Sequence, residues 1–161
     1  MKYDLSSVAG LFRMHGLFVA AEPYGTGHIN DTSKVTFDQS GTRVNYIFQR
    51  INHNVFKDPE AVMKNISRVC AHLGDRARAR GDARGAIDLI EAKTGKSFAV
   101  DEKGDFWRAY CFIENARTFD VIESAAQAHL AAQAFGRFQS ELVDLPGERL
   151  IVHGQFVLRP L

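Results

Sequence analysis

Residues 24–32 read "YGTGHINDT". Two glycines, Gly25 and Gly27, flank Thr26, and a polar run follows. Glycine tolerates positive φ and lets backbone N–H groups approach an anion closely. The stretch is therefore either a loop that holds phosphates or a tight turn between strands. The G-x-G spacing alone favours the plain hairpin. Its flanks are extended. On one side "GLFVAAEPYG" (residues 16–25) reads as a strand that stops at Pro23 and the glycines. On the other, "TSKVTFD" (32–38) is a second strand, "QSGT" a turn, and "RVNYIFQRIN" (43–52) a third strand. Three strands with short connections make an antiparallel meander.

Outward from the meander, Leu5, Val8, Leu11 and Phe12 share one face of a short helix over residues 5–14. "KDPEAVMKNISRVCAHL" (57–73) is a second helix, with Asp58 at the N-cap and Pro59 at the first helical position. Val62, Ile66, Val69 and Leu73 repeat along it at helical spacing. It frays into "GDRARARGDARGA" (74–86), which lacks apolar periodicity and reads as a solvated loop. "AIDLIEA" and "KSFAVDE" are strand-like, and "FWRAYCFIE" (106–114) is an alternating strand whose Phe106, Trp107 and Tyr110 read as core. Residues 121–142 form a last helix, with Val121, Ala125, Ala128, Ala132, Phe135, Phe138 and Leu142 in one stripe. The tail "PGERLIVHGQFVLRPL" (146–161) has no obvious strand partner.

The 161 residues are 45% hydrophobic and 24% charged, the composition of a globular domain. A formal charge of +1 draws the chain to neither nucleic acid nor membrane. Acids beside the arginines of residues 76–85 also argue against nucleic acid. No apolar run is long enough for a bilayer, and residues 1–18 lack the pattern of a signal peptide. Cys70 and Cys111 sit apart in apolar contexts, which reads as two buried thiols in a reducing, cytoplasmic setting.

The order of elements is strand, glycine loop, two strands, helix, strands, connector and helix. Within it, "PYGTGHINDT", "NYIFQRINHNVFKDPEAVMKNI", "FWRAYCFIENARTFD" and "AAQAFGRFQSEL" resemble the N-terminal part of the N-acetylhexosamine kinases and their relatives in the aminoglycoside phosphotransferase superfamily. The resemblance runs from Phe18 to Leu145. It implies an α+β fold: a kinase-like small lobe over residues 1–112, with an antiparallel sheet of about five strands and one packed helix. Residues 113–161 would then be the connector and the first helical part of a large lobe.

The implied activity is ATP-dependent phosphorylation of a sugar hydroxyl, with magnesium. In the family a second lobe carries a His-Asn/Gly-Asp catalytic loop and a later metal-binding Asp. Here "HGQ" (153–155) lacks the Asp. Phosphoryl transfer needs metal ions and a residue that positions the nucleophile. The chain alone is therefore expected to be inactive and to meet a sugar only if a second lobe is supplied. A non-catalytic nucleotide- or protein-binding module is the alternative. The lobe's underside is expected to be apolar and open, and so to invite self-association.

The resemblance also implies the site. Gly25, Thr26, Gly27, His28 and Asn30 would roof the nucleotide phosphates. Gln49 and Arg50 stand where kinases keep a phosphate-contacting Lys on the third strand. Register favours Gln49 and chemistry favours Arg50; adjacent strand residues face opposite ways, so only one enters the cleft. Phe112, Ile113 and Glu114 would border the adenine from the connector. Glu60, early in the second helix, is read as complementing the helix dipole.

Overall fold

A computed structural model describes residues 2–25, 27, 29–82, 85–116, 119 and 121–151. The meander is present as β1 (Leu17–Pro23), β2 (Asp31–Gln39) and β3 (Thr42–Ile51), all antiparallel. Later come β4 (Leu89–Ile90), β5 (Ala99–Val100) and β6 (Phe106–Cys111). The order across the sheet is β1-β2-β3-β6-β4, with β5 also on β6. β6, the last of these strands in the chain, thus lies beside β3. One irregularity interrupts the ladders: the register of β1 shifts between Phe18 and Ala20, leaving Val19 as a bulge. Just before it, Gly16 has φ +90°, and a Cβ there would lie 2.2 Å from the Asp38 carbonyl oxygen. Only glycine fits that entry to the edge strand.

The two faces of the sheet are built differently. α1 (Leu5–Ala9) covers the outer face, where Leu5, Val8 and Phe12 pack with Val35, Phe37, Phe48, Trp107 and Ala109. Deep burial of Trp107 is compatible with its polar edge because Nε1 donates to Asp101 Oδ2 at 2.9 Å. The helix stops at Gly10, short of the expected residue 14. The chain instead turns Leu11 and Phe12 onto residues 91–93: Lys93 N donates to Leu11 O at 2.8 Å, and Phe12 bridges Ala92.

α2 (Pro59–Ala79) covers one end of the inner face. Met63 and Ile66 pack there on Ile51, Leu89, Phe98 and Phe106. Asp58 caps it as expected, accepting from Ala61 N at 3.0 Å. The helix also runs through half of the basic stretch read as a loop. What holds it is polar: Asn65, Arg68, His72, Arg76 and Arg80 recur along one side of α2. Arg80 pairs with Glu141 at 3.0 Å and Arg76 with Asp144 at 2.5 Å. His72 contacts the Glu141 carbonyl, Arg68 donates to the carbonyls of Pro146 and Glu148, and Asn65 exchanges two hydrogen bonds with Ile151. Residues 141–151 are thereby strapped along α2.

The last helix, α3 (Ala125–Glu141), starts at Ser124 rather than 121, because the Ser124 side chain caps the amide of Gln127. No residue of α3 is buried, and Leu130 and Phe135 are largely exposed. The thiols depart from expectation: Cys70 is half-buried and Cys111 exposed, since Cys111 ends β6 where the ladder runs out. No helix among the described residues is long and apolar enough to cross a membrane. The tail from residue 152 lies outside the described residues.

Candidate functional site

Beside α2 the inner face carries a row of partly buried polar side chains, with buried Ile47 in the next row. Strand alternation sets its membership. Thr32, Gln49 and Arg108 are directly opposed across β2, β3 and β6, so they form one row. Their side chains are joined in the same order. Arg108 Nε donates to Gln49 Oε1 at 2.9 Å, its Nη2 donates to the same oxygen, and Gln49 Nε2 donates to Thr32 Oγ1 at 2.7 Å. The next row carries Glu22, Lys34, Ile47 and Tyr110, and beyond it stand Thr36 and Asn45.

Gln49 is the residue of its pair that shares a face with α2. Arg50 points the other way, into the outer face. There it pairs with Asp31 at 2.8 Å and Asp105 at 3.0 Å, and stacks over Tyr3. Partial burial works against its charge, but the two carboxylates outweigh that and raise its pKa. Asp31 is held below the usual carboxylate range, chiefly by the Tyr3 hydroxyl at 2.6 Å and then by Arg50, against partial burial. Arg50 is thus fully engaged away from the inner face.

The glycine loop closes at its base through Tyr24 N to Thr32 O at 3.0 Å. Gly25 takes φ +79°, the left-handed turn the sequence required, and a Cβ at Gly25 or Gly27 would meet nothing within 4 Å. Asn30 braces the backbone instead of facing the open surface. Its Oδ1 accepts the N–H of Asn52 at 2.9 Å and pins the loop to the end of β3. Thr26 and His28 lie outside the described residues.

The connector follows β6 directly. Phe112 N donates to the Asn45 carbonyl at 3.2 Å, and Glu114 accepts from Asn45 Nδ2 at 2.9 Å, so β3 fixes both. Ile113 between them is half exposed. The Phe112 ring meets Tyr24 edge-on at 5.3 Å, with Lys34 Nζ 5.6 Å from its centroid. The structure places Gly25 and Gly27 in a cleft with Tyr3, Leu5 and Asp31, Gln49 on the inner face, and Phe112 against Tyr24. It leaves Arg50 on the other face and gives Asn30 a bracing role.

Charge on this face is uneven. Lys34 is compensated by Glu22 at 3.2 Å. Arg108 has no carboxylate within 4.0 Å among the described residues; its hydrogen bonds go to the Gln49 amide, and the Tyr110 and Cys70 side chains act on it electrostatically. Burial pushes its pKa down, with Tyr110 and Cys70 working against that. Glu60 pairs with Lys96 at 3.6 Å at the start of α2, away from this row. Among the described residues no three His, Cys, Asp or Glu side chains are grouped to hold a metal ion.

Sequence reasoning missed Arg108, Lys34 and Tyr24. The alternation of "FWRAYC" puts Phe106, Arg108 and Tyr110 on one side, which was a usable signal. The pairing of β6 with β3, which brings Arg108 opposite Gln49, has no local signal.

No family model matches this sequence. The fold is similar to that of spectinomycin phosphotransferase, solved in complex with ADP and spectinomycin. The TM-score is 0.51 at 15% identity, over 89% of this chain and 38% of that one. The architecture is thus that of a kinase-like N-terminal lobe, and the chain spans well under half the length of that phosphotransferase.

Proposed function

We propose that this chain is the nucleotide-binding part of an ATP-dependent phosphotransferase of the aminoglycoside phosphotransferase type, with an N-acetylhexosamine as the acceptor sugar. Residues 1–112 are its small lobe and residues 113–161 the connector and the beginning of the large lobe. The carrying observation is the hydrogen-bonded Thr32–Gln49–Arg108 row on one face of the sheet whose margins the glycine loop and Phe112 form. That a protein of the same fold was solved with ADP supports the reading. The sugar assignment rests on the sequence motifs alone.

In this reading Gly25 and Gly27 let the β1–β2 loop come close to phosphate, with Thr26 and His28 beside them. The connector at Phe112, Ile113 and Glu114 borders the base, with Ile47 under it. Magnesium would accompany ATP, as the family resemblance implies. The chain alone binds nucleotide and does not transfer a phosphoryl group, because the catalytic-loop and metal-binding Asp motifs that the family resemblance leads one to expect are not in this sequence.

Titration calorimetry with ADP and ATP, with and without magnesium, tests this. Saturable binding with Kd at or below about 1 mM is expected, with no N-acetylhexosamine phosphate formed until a large lobe is supplied. Absence of saturable binding at millimolar nucleotide overturns the proposal. Turnover of a different acceptor, and not of an N-acetylhexosamine, by the completed enzyme overturns the sugar assignment.

A further inference from the structure

The inner face carries a partly buried cation with no acid beside it among the described residues. Arg108 spends two of its N–H groups on one neutral oxygen, Gln49 Oε1. An amide accepts hydrogen bonds but does not neutralise charge. The other groups that act on it are a phenol, Tyr110, and a thiol, Cys70, whose pKa values burial raises; the Asp88 carboxylate acts on Cys70 and makes no ion pair with Arg108 within 4.0 Å. The sheet-facing positions of α2 give no carboxylate, since Met63, Ile66 and Cys70 occupy them. Elsewhere on the sheet cations are answered: Arg50 by two acids and Lys34 by one. Taking a charge out of water is unfavourable unless a partner compensates it, and guanidinium stays protonated under all ordinary conditions.

We infer that Arg108 is the phosphate-binding cation of this lobe, moved from the third strand to the sixth, with Gln49 as its positioning residue. The inference rests on the nucleotide reading above. Gln49 occupies the third-strand position and holds the guanidinium from one edge, while Thr32 holds Gln49. The row fixes the fork without cancelling its charge. A planar fork held on one edge presents the other to an acceptor of matching geometry, and phosphate oxygens accept such a fork in parallel. No competing acid has to be displaced.

Three probes separate the possibilities on the full 161-residue chain: ADP, adenosine and inorganic tripolyphosphate, followed by calorimetry and ligand-induced thermal shift. In Arg108→Met, affinity for ADP and tripolyphosphate is expected to fall about ten- to hundredfold, while adenosine binding changes by less than about twofold. The ligand-free melting temperature is expected to hold or rise, because an uncompensated charge has been removed; a structural arginine gives the opposite sign. Arg108→Lys keeps the charge without the fork and retains part of the affinity; should Arg108→Met fail to fold, it carries the test.

Wild-type-like ADP and tripolyphosphate binding in Arg108→Met overturns the inference. So does an equal loss for adenosine, which marks a packing role. Arg108-dependent tripolyphosphate binding with no adenosine contribution keeps the anion site and overturns the nucleotide reading. If wild type binds none of the three probes, both fall.

Discussion

Arg50 and Arg108 stand on adjoining strands, one rung apart in the β3–β6 ladder, yet they face opposite ways. On the outer face Arg50 is 15% exposed and closed in by Asp31, Asp105 and Tyr3. On the inner face Arg108 is held by hydrogen bonds to an amide, with no carboxylate within 4.0 Å among the described residues. The outer surface carries the tightly packed residues Phe12, Val35, Phe48 and Trp107. The inner surface carries Thr36 and Asn45 at the end next to Phe112, Lys34, Ile47 and Tyr110 in the next row, and Thr32, Gln49 and Arg108 toward α2. One side of the sheet is finished by its own chain, charge included. On the other, Lys34 is paired with Glu22 while Arg108 is satisfied in hydrogen bonds but not in charge, which is the property the proposed anion site uses.

Substitutions can break this contrast. The largest effect is expected from Trp107→Ala on the outer face, a loss of about 3–5 kcal/mol, read by urea unfolding. Thr36→Val on the inner face, which removes a hydrogen bond to Asn45 Oδ1 of 2.8 Å, should cost only about 0.5–1.5 kcal/mol; equal losses would mean that the faces are packed alike. Gly16→Ala should cost about 2 kcal/mol or more, since it combines a positive φ with contact against the Asp38 carbonyl. Arg50→Met strands two carboxylates and should cost about 1–3 kcal/mol, less than a fully buried pair because Asp31 is open to water. Against it, Arg108→Met should show the opposite sign in the ligand-free protein.

A pH titration sharpens the same comparison. Asp31 has a folded pKa below its unfolded value, through the Tyr3 hydroxyl and then Arg50. Its contribution is therefore present above about pH 4 and lost as the pH falls through the depressed folded value. Melting temperature should drop across that acid range, and drop less steeply in Asp31→Asn. The smallest effect belongs to α3. Ser at both Phe135 and Phe138 should leave the melting temperature nearly unchanged, because both are exposed, and should lower the signal of a dye that binds exposed apolar surface.

The sequence carried what was local. Period-2 alternation found β1, β2, β3 and β6, and Asp58 with Pro59 found the start of α2. The glycine loop was legible because Gly25 needs a backbone conformation that glycine supplies. Non-local pairing was not legible. The basic stretch after Leu73 read as a loop because its helix is stabilised by Glu141 and Asp144, about sixty residues away or more. The site was half legible: alternation showed that only one of Gln49 and Arg50 could face α2, but only the Arg50–Asp31–Asp105 cluster showed which. Arg108 stayed hidden because its meaning depends on the strand beside it.

The bulge at Val19 has a consequence for the company this chain keeps. β1 is an edge strand, and an unbroken edge is a template on which a second copy can add its own strand. Here the row of backbone donors and acceptors loses its regular spacing at Val19 and ends in Pro23, which has no N–H to offer. Sheet-to-sheet growth is blocked at that margin by the backbone itself, whatever the side chains do. A lobe that must leave one face uncovered is thereby guarded along the flank where polymerisation would otherwise begin.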